Sequence, residues 1–253
     1  MDLARQLEAC AHPWARLIRI LDQAASTNDE ALEAARQGAP HGTVILARHQ
    51  TAGRGRLGRI WESRPGDSLC FSVLIRPGQT GHSSPRLTLA AGLAVHRALT
   101  SLTGLPLHIK WPNDILWEEK KLCGILTEGG SASGRLDYAV IGIGINLNQK
   151  EADFPPELRP TAASLLALTG RTWDLDETAA RVLQSLTGVL QEPWEAVLAA
   201  WKSHCTSLGR TVRILTPSGP RTGILRDIAA DGALLFQPDP SSPPEVLHSA
   251  EIL

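Results

Sequence analysis

The chain has 253 residues, and its 25 lysines and arginines nearly balance its 26 aspartates and glutamates, which gives a formal net charge of −1. This near-neutral charge argues against a dedicated nucleic-acid binder, and no apolar run approaches the roughly 18 residues of a membrane helix. The N-terminus does not resemble a signal peptide, and four widely spaced cysteines without a CxxC pair predict reduced thiols, no zinc site and a cytoplasmic location.

The first predicted elements lead to an unusual loop. Residues 13–22 are apolar enough for a strand or a short helix. A helix opens within 26–30, where Thr27 and Glu30 have the spacing of a capping box, and it ends at 38–40. A strand at 43–47 then runs into the loop.

The segment from Thr51 to Ile60 is the most distinctive in the chain, with three glycines, three arginines and no acidic residue. Glycines let a backbone approach a ligand, and arginines supply planar donors for phosphate or carboxylate. Gly53-x-Gly55-x-x-Gly58 is not a dinucleotide fingerprint, because a strand-like run at 69–75 follows where a helix is required. Nor is it a P-loop, since Arg59-Ile60 stands in place of Lys-Ser/Thr. We expect a loop that closes over an anion, with a solvated basic surface loop as the alternative.

The middle of the chain predicts one long helix followed by a series of strands. Ser84-Pro85 begins the helix with proline at the first helical position, and Gly104 ends it. Strand-like runs then follow one another through short turns, at 107–111, 115–117, 122–127 and 136–146. Helical patterns return near 161–169 and 176–204, interrupted at Pro193. This order predicts an α+β fold, with a mixed, largely antiparallel sheet and helices on one side.

After Leu208 the pattern changes to short strands separated by turn residues. The runs at 211–215, 223–226 and 233–236 are divided by proline- and glycine-containing turns. This spacing predicts a small β-barrel. We therefore expect two domains, at 1–205 and 206–253.

Three clusters in the strand-rich part carry chemically interesting residues. Lys110-Trp-Pro-Asn-Asp114 places an amide and a carboxylate on a turn, although the spacing alone favours an ordinary Asx turn. Lys121 has the position of an edge charge, but Gly124 leaves space beside an apolar strand. Gly142 and Gly144 point to one sheet face and clear a flat surface there.

Taken in order, these segments resemble the biotin–protein ligases. The resemblance covers about residues 20–253 and rests on five motifs at compatible spacing: Ser26-Thr-Asn28, Gln50-Thr-Ala-Gly-Arg-Gly-Arg-Leu-Gly-Arg59, Lys110-Trp-Pro-Asn-Asp114, Lys121-Leu-Cys-Gly-Ile-Leu126 and Gly142-Ile-Gly-Ile-Asn146. Each motif alone is weak, but the ordered set is specific. The resemblance implies a class II synthetase-like catalytic domain followed by an SH3-like barrel.

The family's residue roles carry over where its motifs match. The implied biotin-binding set is Ser26, Thr27, Gln50, Gly53, Arg54, Arg56, Lys121, Gly124, Gly142 and Gly144. The implied nucleotide-binding set is Arg56, Arg59, Trp61 and Asn146. Arg56, Lys121 and Asp114 are the implied catalytic residues. The resemblance leaves open whether Asp114 binds Mg²⁺ or orients the attacking lysine.

The resemblance also implies an activity and its partners. A biotin–protein ligase activates biotin with ATP and Mg²⁺ as biotinyl-5′-AMP, then transfers biotin to a lysine of a biotin carboxyl carrier protein. By analogy a homodimer is expected, with no DNA or membrane partner. Only about 20 residues precede the motifs, too few for the winged-helix domain of bifunctional members, so repressor activity is not expected. A lipoate or octanoate ligase or transferase is the nearer alternative, and a nucleic-acid-binding module the more distant one.

Overall fold

In a computed structural model, which describes residues 2–76, 78, 83–132 and 135–253, seven strands form the larger of two sheets. They are β1 (Ile18–Leu21), β2 (Val44–Ala47), β3 (Ser68–Ile75), β4 (Leu107–Lys110), β5 (Asp114–Trp117), β6 (Lys120–Ala132) and β7 (Arg135–Asn146). Their spatial order is β1-β2-β3-β7-β6-β5-β4, and all neighbours are antiparallel except β1 and β2. The predicted mixed, largely antiparallel sheet is confirmed.

The β6–β7 hairpin crosses the middle of this sheet and brings glycines together. Gly124 lies opposite Gly144, and Leu126 lies opposite Gly142. β3 runs beside β7, and all eight of its residues are buried, as expected for a strand covered on both faces. Residues 133–134, between β6 and β7, lie outside the described part of the chain.

One face of the sheet shares a core with four helices, which are α1 (Leu3–Ala9), α3 (Ser84–Thr103), α5 (Leu175–Gln191) and α6 (Trp194–Ser203). The long helix α3 has proline in its first turn and ends at Gly104, whose φ of 71° is left-handed, as predicted. The predicted interruption at Pro193 separates α5 from α6. A short helix, α4 (Leu165–Thr169), precedes them.

The helix α2 (Thr27–Arg36) lies on the opposite face, so the expectation of helices on one side was wrong. Ala31 and Ala35 of α2 form a second core with Ile45, Leu74 and Val140. Strands β2 and β3 are apolar on both faces, and such runs carry no alternation that tells which face a helix covers.

The start of α2 also differs from the predicted capping box. Its N-cap is Ser26 rather than Thr27, and the Ser26 side chain makes no capping hydrogen bond. Thr27 is instead committed to Gln50, to which its backbone N–H and its hydroxyl both donate. Thr27, at the start of the helix, therefore bonds to the loop that contains Gln50 and does not cap the helix.

The C-terminal part forms a second, antiparallel sheet of five described strands in the order β11-β10-β9-β8-β12. These strands are β8 (Thr211–Thr216), β9 (Gly219–Ile228), β10 (Leu234–Gln237), β11 (Glu245–Leu247) and β12 (Glu251–Ile252). The sheet agrees with the predicted SH3-like barrel, although β11 and β12 were not predicted from the sequence. The domain boundary between residues 205 and 206 stays a prediction.

Polar contacts tie the small sheet to the rest of the chain. The Trp111 and Trp194 indoles donate to the carbonyls of Gly232 and Ala230, at 3.1 and 2.6 Å. Lys202 Nζ lies 2.6 Å from Asp227 Oδ1. These contacts all fall on residues 227–232, at the end of β9 and in the loop that follows it. Among the described helices, none combines the length and the apolar character needed to cross a membrane.

Candidate active site

A cavity of about 520 Å³ opens between the glycine-arginine segment, the β5–β6–β7 surface, the start of α2 and strand β12. Every residue assigned above to biotin, nucleotide, catalysis or metal contributes to its lining, except Gly53. Gly53 packs behind the cavity, where a Cβ would lie 2.6 Å from the Trp61 carbonyl oxygen. Ligand sites of small molecules commonly have volumes of about 300–1,000 Å³, so the cavity can hold a substrate with part of a nucleotide.

The glycines of β6 and β7 form a floor on which other groups lie very close. A Cβ at Gly144 would come within 2.5 Å of the Trp61 indole, and one at Gly124 within 3.1 Å. A Cβ at Gly142 would lie 2.2 Å from Asn28 Oδ1. The flat surface expected from the glycine spacing is therefore present, and Trp61 and Asn28 rest on it.

A buried polar network forms the wall beside this floor. Gln50 Oε1 accepts from the Thr27 N–H at 2.7 Å and from the Thr27 hydroxyl at 3.0 Å. The Ser72 hydroxyl lies 2.7 Å from Thr27 Oγ1 and 2.6 Å from Asn28 Oδ1. Ser72 was missed by sequence reasoning, although a serine inside the apolar strand β3 is a signal that could have identified it. Because these groups satisfy one another, the wall has a fixed arrangement of donors and acceptors.

The glycine-arginine segment is a small hairpin, hereafter the Gly-Arg hairpin (residues 53–61). The Trp61 N–H donates to Gly53 O at 2.9 Å, and the Gly55 N–H donates to Arg59 O at 2.7 Å. At its tip Leu57 has a φ of 56°, a left-handed conformation that is strained for a residue with a side chain. The hairpin therefore projects its arginines over the cavity from a defined backbone.

Each arginine of the Gly-Arg hairpin meets acceptors of the protein itself. Arg54 contacts Asp29 at 2.6 Å and Glu128 at 3.1 Å. Arg59 makes a two-point ion pair with Glu251 of β12. These paired charges at the cavity differ from the alternative of a solvated basic surface loop.

Arg56 is the most enclosed of the three arginines. It donates to Asn113 Oδ1 at 3.1 Å and to Ala250 O at 3.3 Å. Burial lowers the pKa of Arg56 from its usual value, while nearby Asp114 and Glu251 act in the opposite direction. A guanidinium still carries its charge at neutral pH, so this half-buried cation is weakly screened and suited to stabilising anions.

Lys121 and Asp114 form an ion pair inside the cavity, with Nζ 2.7 Å from Oδ1. The ammonium also lies 5.8 Å from the Trp61 ring centroid. Asn113, the residue before Asp114, does not make the expected Asx turn. Its amide instead donates to Ile125 O at 2.9 Å and accepts from Arg56, which links the turn to both β6 and the hairpin.

Asn146, expected to contact nucleotide, is occupied with protein carbonyls. Its amide donates to Ala163 O at 3.0 Å and more weakly to Lys121 O at 3.4 Å. These bonds hold the segment 161–163 beside β6, where the Lys121 N–H also donates to Thr161 O. Phe154, Leu158, Thr161 and Ala162 complete this wall of the cavity. None of the four was predicted as a site residue. Residues 161–164, expected at the start of a helix, are not helical, and the helix begins only at Leu165.

Two other kinds of chemistry receive no support at the site. Cys70 is 2% exposed, and burial raises the pKa of its thiol to about 12, so it is not an activated nucleophile. Within the described residues, no group of three or more histidine, cysteine, aspartate or glutamate side chains is arranged to hold a metal ion.

Comparison with known proteins gives a consistent result. Residues 21–146 match the sequence model of the biotin/lipoate A/B protein ligase family. The bifunctional ligase/repressor BirA of Bacillus subtilis is 36% identical over 85% of this chain and 68% of its own length. The biotin–[acetyl-CoA-carboxylase] ligase of Mycobacterium tuberculosis is 35% identical over 92% of this chain and 87% of its own. The Aquifex aeolicus biotin protein ligase, solved with biotin and ATP, superposes with a TM-score of 0.79 at 32% identity, covering 93% of this chain and 97% of that one.

Proposed function

The chain belongs to the biotin/lipoate A/B protein ligase family, and from this premise we propose that it is a biotin–protein ligase. It activates biotin with ATP as biotinyl-5′-AMP and transfers the biotinyl group to a lysine of a biotin carboxyl carrier protein. The observation that carries this proposal is the meeting of the Thr27–Gln50 wall, the glycine floor and the Gly-Arg hairpin around one cavity.

Biotin has a polar ring system and a carboxylate tail, and the cavity offers a matching environment for each. Ser26, Thr27 and Gln50 supply fixed polar groups at one end of the floor. Arg56 and Lys121 supply positive charge farther along. We place the ring system against the polar wall, so that the carboxylate points toward the two cations.

The first chemical step joins two anions, the biotin carboxylate and the ATP α-phosphate, with release of pyrophosphate. Positioning and electrostatic stabilisation therefore supply most of the rate acceleration. We assign the neutralisation of the developing charge to Arg56 and Lys121. Arg59 and Trp61 lie on the same hairpin and are assigned to the nucleotide, while Asn146 acts by holding the wall at 161–163.

Mg²⁺ accompanies ATP in enzymes of this chemistry and neutralises phosphate charge. It commonly keeps several waters and takes phosphate oxygens with only one or two carboxylates, so the described residues fit it despite offering no all-protein cage. Asp114 is the carboxylate that the resemblance offers for it, with orientation of the attacking lysine as the alternative. Because that carboxylate is paired with Lys121, we give Asp114 the orientation of Lys121 as its main role.

The second step is attack of a carrier lysine amine on the carbonyl carbon of the mixed anhydride. The C–N bond forms, the bond to the phosphate oxygen breaks, AMP leaves, and the amine loses a proton. Until the carrier arrives, water and other amines must be kept from the intermediate. The Gly-Arg hairpin covers the cavity and is the element we assign to this retention.

The alternatives are less well supported. The Mycobacterium and Aquifex relatives are named for biotin, which favours biotin over lipoate or octanoate. The arginines that suggested a nucleic-acid-binding module are paired with Asp29, Glu128 and Glu251, so they do not form a free basic surface. A homodimer and a cytoplasmic location stay predictions.

Transfer to a carrier protein tests this function. The protein is incubated with biotin, ATP, Mg²⁺ and a purified biotin carboxyl carrier domain, and intact mass spectrometry follows the carrier. We expect addition of one biotinyl group to one lysine, and none on a carrier in which that lysine is arginine. An unmodified carrier under all these conditions contradicts the proposal.

A further inference from the structure

A single carboxylate, that of Glu128 on β6, lies where the Gly-Arg hairpin meets the polar wall. Its Oε2 accepts from Asn28 Nδ2 at 2.7 Å and from Arg54 Nη2 at 3.1 Å. Bonds of this kind, with a charged partner, are stronger than bonds between neutral groups. One oxygen atom therefore links two elements that are far apart in the sequence.

On the wall side, Glu128 restrains a side chain that rests on the cavity floor. Asn28 is 4% exposed, its Oδ1 accepts from Ser72, and its amide also donates to Leu126 O at 3.2 Å. The same Oδ1 occupies the space that a Cβ at Gly142 would need. Loss of the Glu128 bond would free one hydrogen of this amide in the wall that we assign to biotin.

On the hairpin side, Glu128 shares Arg54 with Asp29, which contacts it at 2.6 Å. Arg54 lies at the base of the hairpin, where it pairs with Ile60 as a β-bridge. The Glu128 side chain is 29% exposed and that of Asp29 is 54% exposed, so the Glu128 contact is the less screened of the two. Asp29 directly follows Asn28 in α2, so its contact also ties Arg54 to the start of that helix. Of the two acids, however, Glu128 is the one that bonds to both the Asn28 and the Arg54 side chains.

We propose that Glu128 is a positioning residue that holds the Gly-Arg hairpin closed against the biotin wall and thereby sets how long the activated intermediate is retained. Because Glu128 bonds to both Asn28 and Arg54, it couples the position of the hairpin directly to that of the wall. Movement of the hairpin away from the cavity must break the Arg54 bond, and this leaves the carboxylate with Asn28 alone. The proposed effect on retention rests on the proposed function, whereas the anchoring of the hairpin does not.

The anchoring is measured without any ligand. The hairpin contains Arg54, Arg56 and Arg59, so limited trypsin digestion of the folded protein reports how often it opens. We expect Glu128→Gln to speed cleavage within residues 54–59 about three- to tenfold. This is the effect expected when a partly screened hydrogen bond loses its charged acceptor. Asp29→Asn is the matched control, because it removes the other acid from Arg54 but leaves Asn28 in place. Its effect should be smaller.

Retention is then measured on the intermediate. Each variant is given biotin and ATP, and the release of biotinyl-5′-AMP into solution is followed together with the rate of its formation. Glu128→Gln should raise the release rate by a similar three- to tenfold and change the rate of formation less. A residue needed only for folding would lower both rates and the melting temperature together. The double variant with Arg54→Met should release no faster than Arg54→Met alone.

Unchanged trypsin cleavage in Glu128→Gln would overturn the anchoring, whatever the enzyme's substrate. Faster cleavage with wild-type release of the intermediate would overturn the retention role. A wild-type protein that forms no adenylate contradicts the proposed function instead, and the trypsin experiment still decides whether Glu128 anchors the hairpin.

Discussion

The side chains of Lys121 on β6 and Asp114 on β5 form an ion pair, with 2.7 Å between Nζ and Oδ1. Both side chains line the cavity, and the pairing fixes the ammonium near the point where we place the biotin carboxylate. Asp114 lies opposite Gly124 in the strand register, so the pair borders the glycine floor. This relationship gives Asp114 a role that does not require a metal ion.

Asp114→Asn should slow adenylate formation about tenfold, because Lys121 loses the charge that orients it. Lys121→Gln should slow it about 100-fold, the usual consequence of removing one preorganised stabilising group. Both are measured as biotin-dependent ATP–pyrophosphate exchange across a Mg²⁺ titration. The orientation role predicts the same half-saturating Mg²⁺ concentration for Asp114→Asn as for wild type. A large increase would instead assign Asp114 to the metal.

Arg56→Gly should make the enzyme leak its intermediate. Arg56 bonds to Asn113 and to the Ala250 carbonyl, and its loss removes both a stabilising cation and a contact that closes the hairpin. We expect biotin to appear on lysines of an added bystander protein such as serum albumin. The exposed Arg16, outside the cavity lining, provides the control variant Arg16→Gly. If Arg56→Gly labelled the bystander no more than wild type, the closing role of Arg56 would be wrong.

Glu251→Gln should weaken ATP binding through Arg59. The Arg59–Glu251 pair connects the hairpin to β12, and without it Arg59 is free to turn away from the cavity. An exposed pair of this kind contributes up to about 1 kcal/mol, so the KM for ATP should rise about three- to fivefold. Glu245→Gln is a close control, since Glu245 pairs with Arg221 in the same sheet but not at the cavity. Equal KM values for ATP in the two variants would show that Glu251 has no role in nucleotide binding.

Gly144→Ala should damage the site without a general loss of folding. Its methyl group would lie 2.5 Å from the Trp61 indole, which must then leave its place on the floor. Overpacking of this kind costs about 1–3 kcal/mol, and we expect at least a tenfold loss in kcat/KM for biotin. Gly188→Ala in α5 is the control, because its methyl group meets nothing within 4 Å and should stabilise the helix. Wild-type kcat/KM in Gly144→Ala would show that close packing on the floor is not needed.

Acid should destabilise the protein in part through His96. This residue is 4% exposed, and burial lowers its pKa from 6.5 to about 4. The unfolded chain therefore takes up a proton between pH 6.5 and 4 that the folded chain does not, and stability falls as pH falls through this window. Titration of this one group changes the free energy of unfolding by up to about 1.4 kcal/mol per pH unit. Chemical unfolding at several pH values should show that the free energy of unfolding of His96→Gln depends less steeply on pH. An unchanged dependence would exclude His96 as a main source of the acid destabilisation.

Local sequence signals were sufficient for much of the fold. Pro85 and Gly104 fixed the ends of α3 because proline and glycine act on the backbone where they stand. The spacing of Gly142 and Gly144 likewise located a flat sheet face. The side of the sheet taken by α2 could not be predicted, since β2 and β3 are buried on both faces and show no alternation.

The contacts that organise the candidate site join residues far apart in the chain. Arg54 and Glu128 are 74 positions apart, and Arg59 and Glu251 are 192 apart. Nothing in either local sequence specifies the partner. The resemblance could therefore suggest which residues to assign to binding, but not the side chains that hold those residues in place. The wall at 154–162 was missed for a related reason. Its first part is irregular backbone with no period to detect, and residues 161–162 were expected within a helix that begins only at Leu165.

ATP–pyrophosphate exchange with biotin, and separately with lipoate, tests the central claim most directly. The exchange reports formation of an acyl-adenylate without any carrier protein, so it isolates the chemistry that we assign to the cavity. The account predicts rapid exchange with biotin, exchange that is about 100-fold slower in Lys121→Gln, and no comparable exchange with lipoate. Exchange with lipoate alone, or with neither acid, would contradict the assignment of this protein as a biotin–protein ligase.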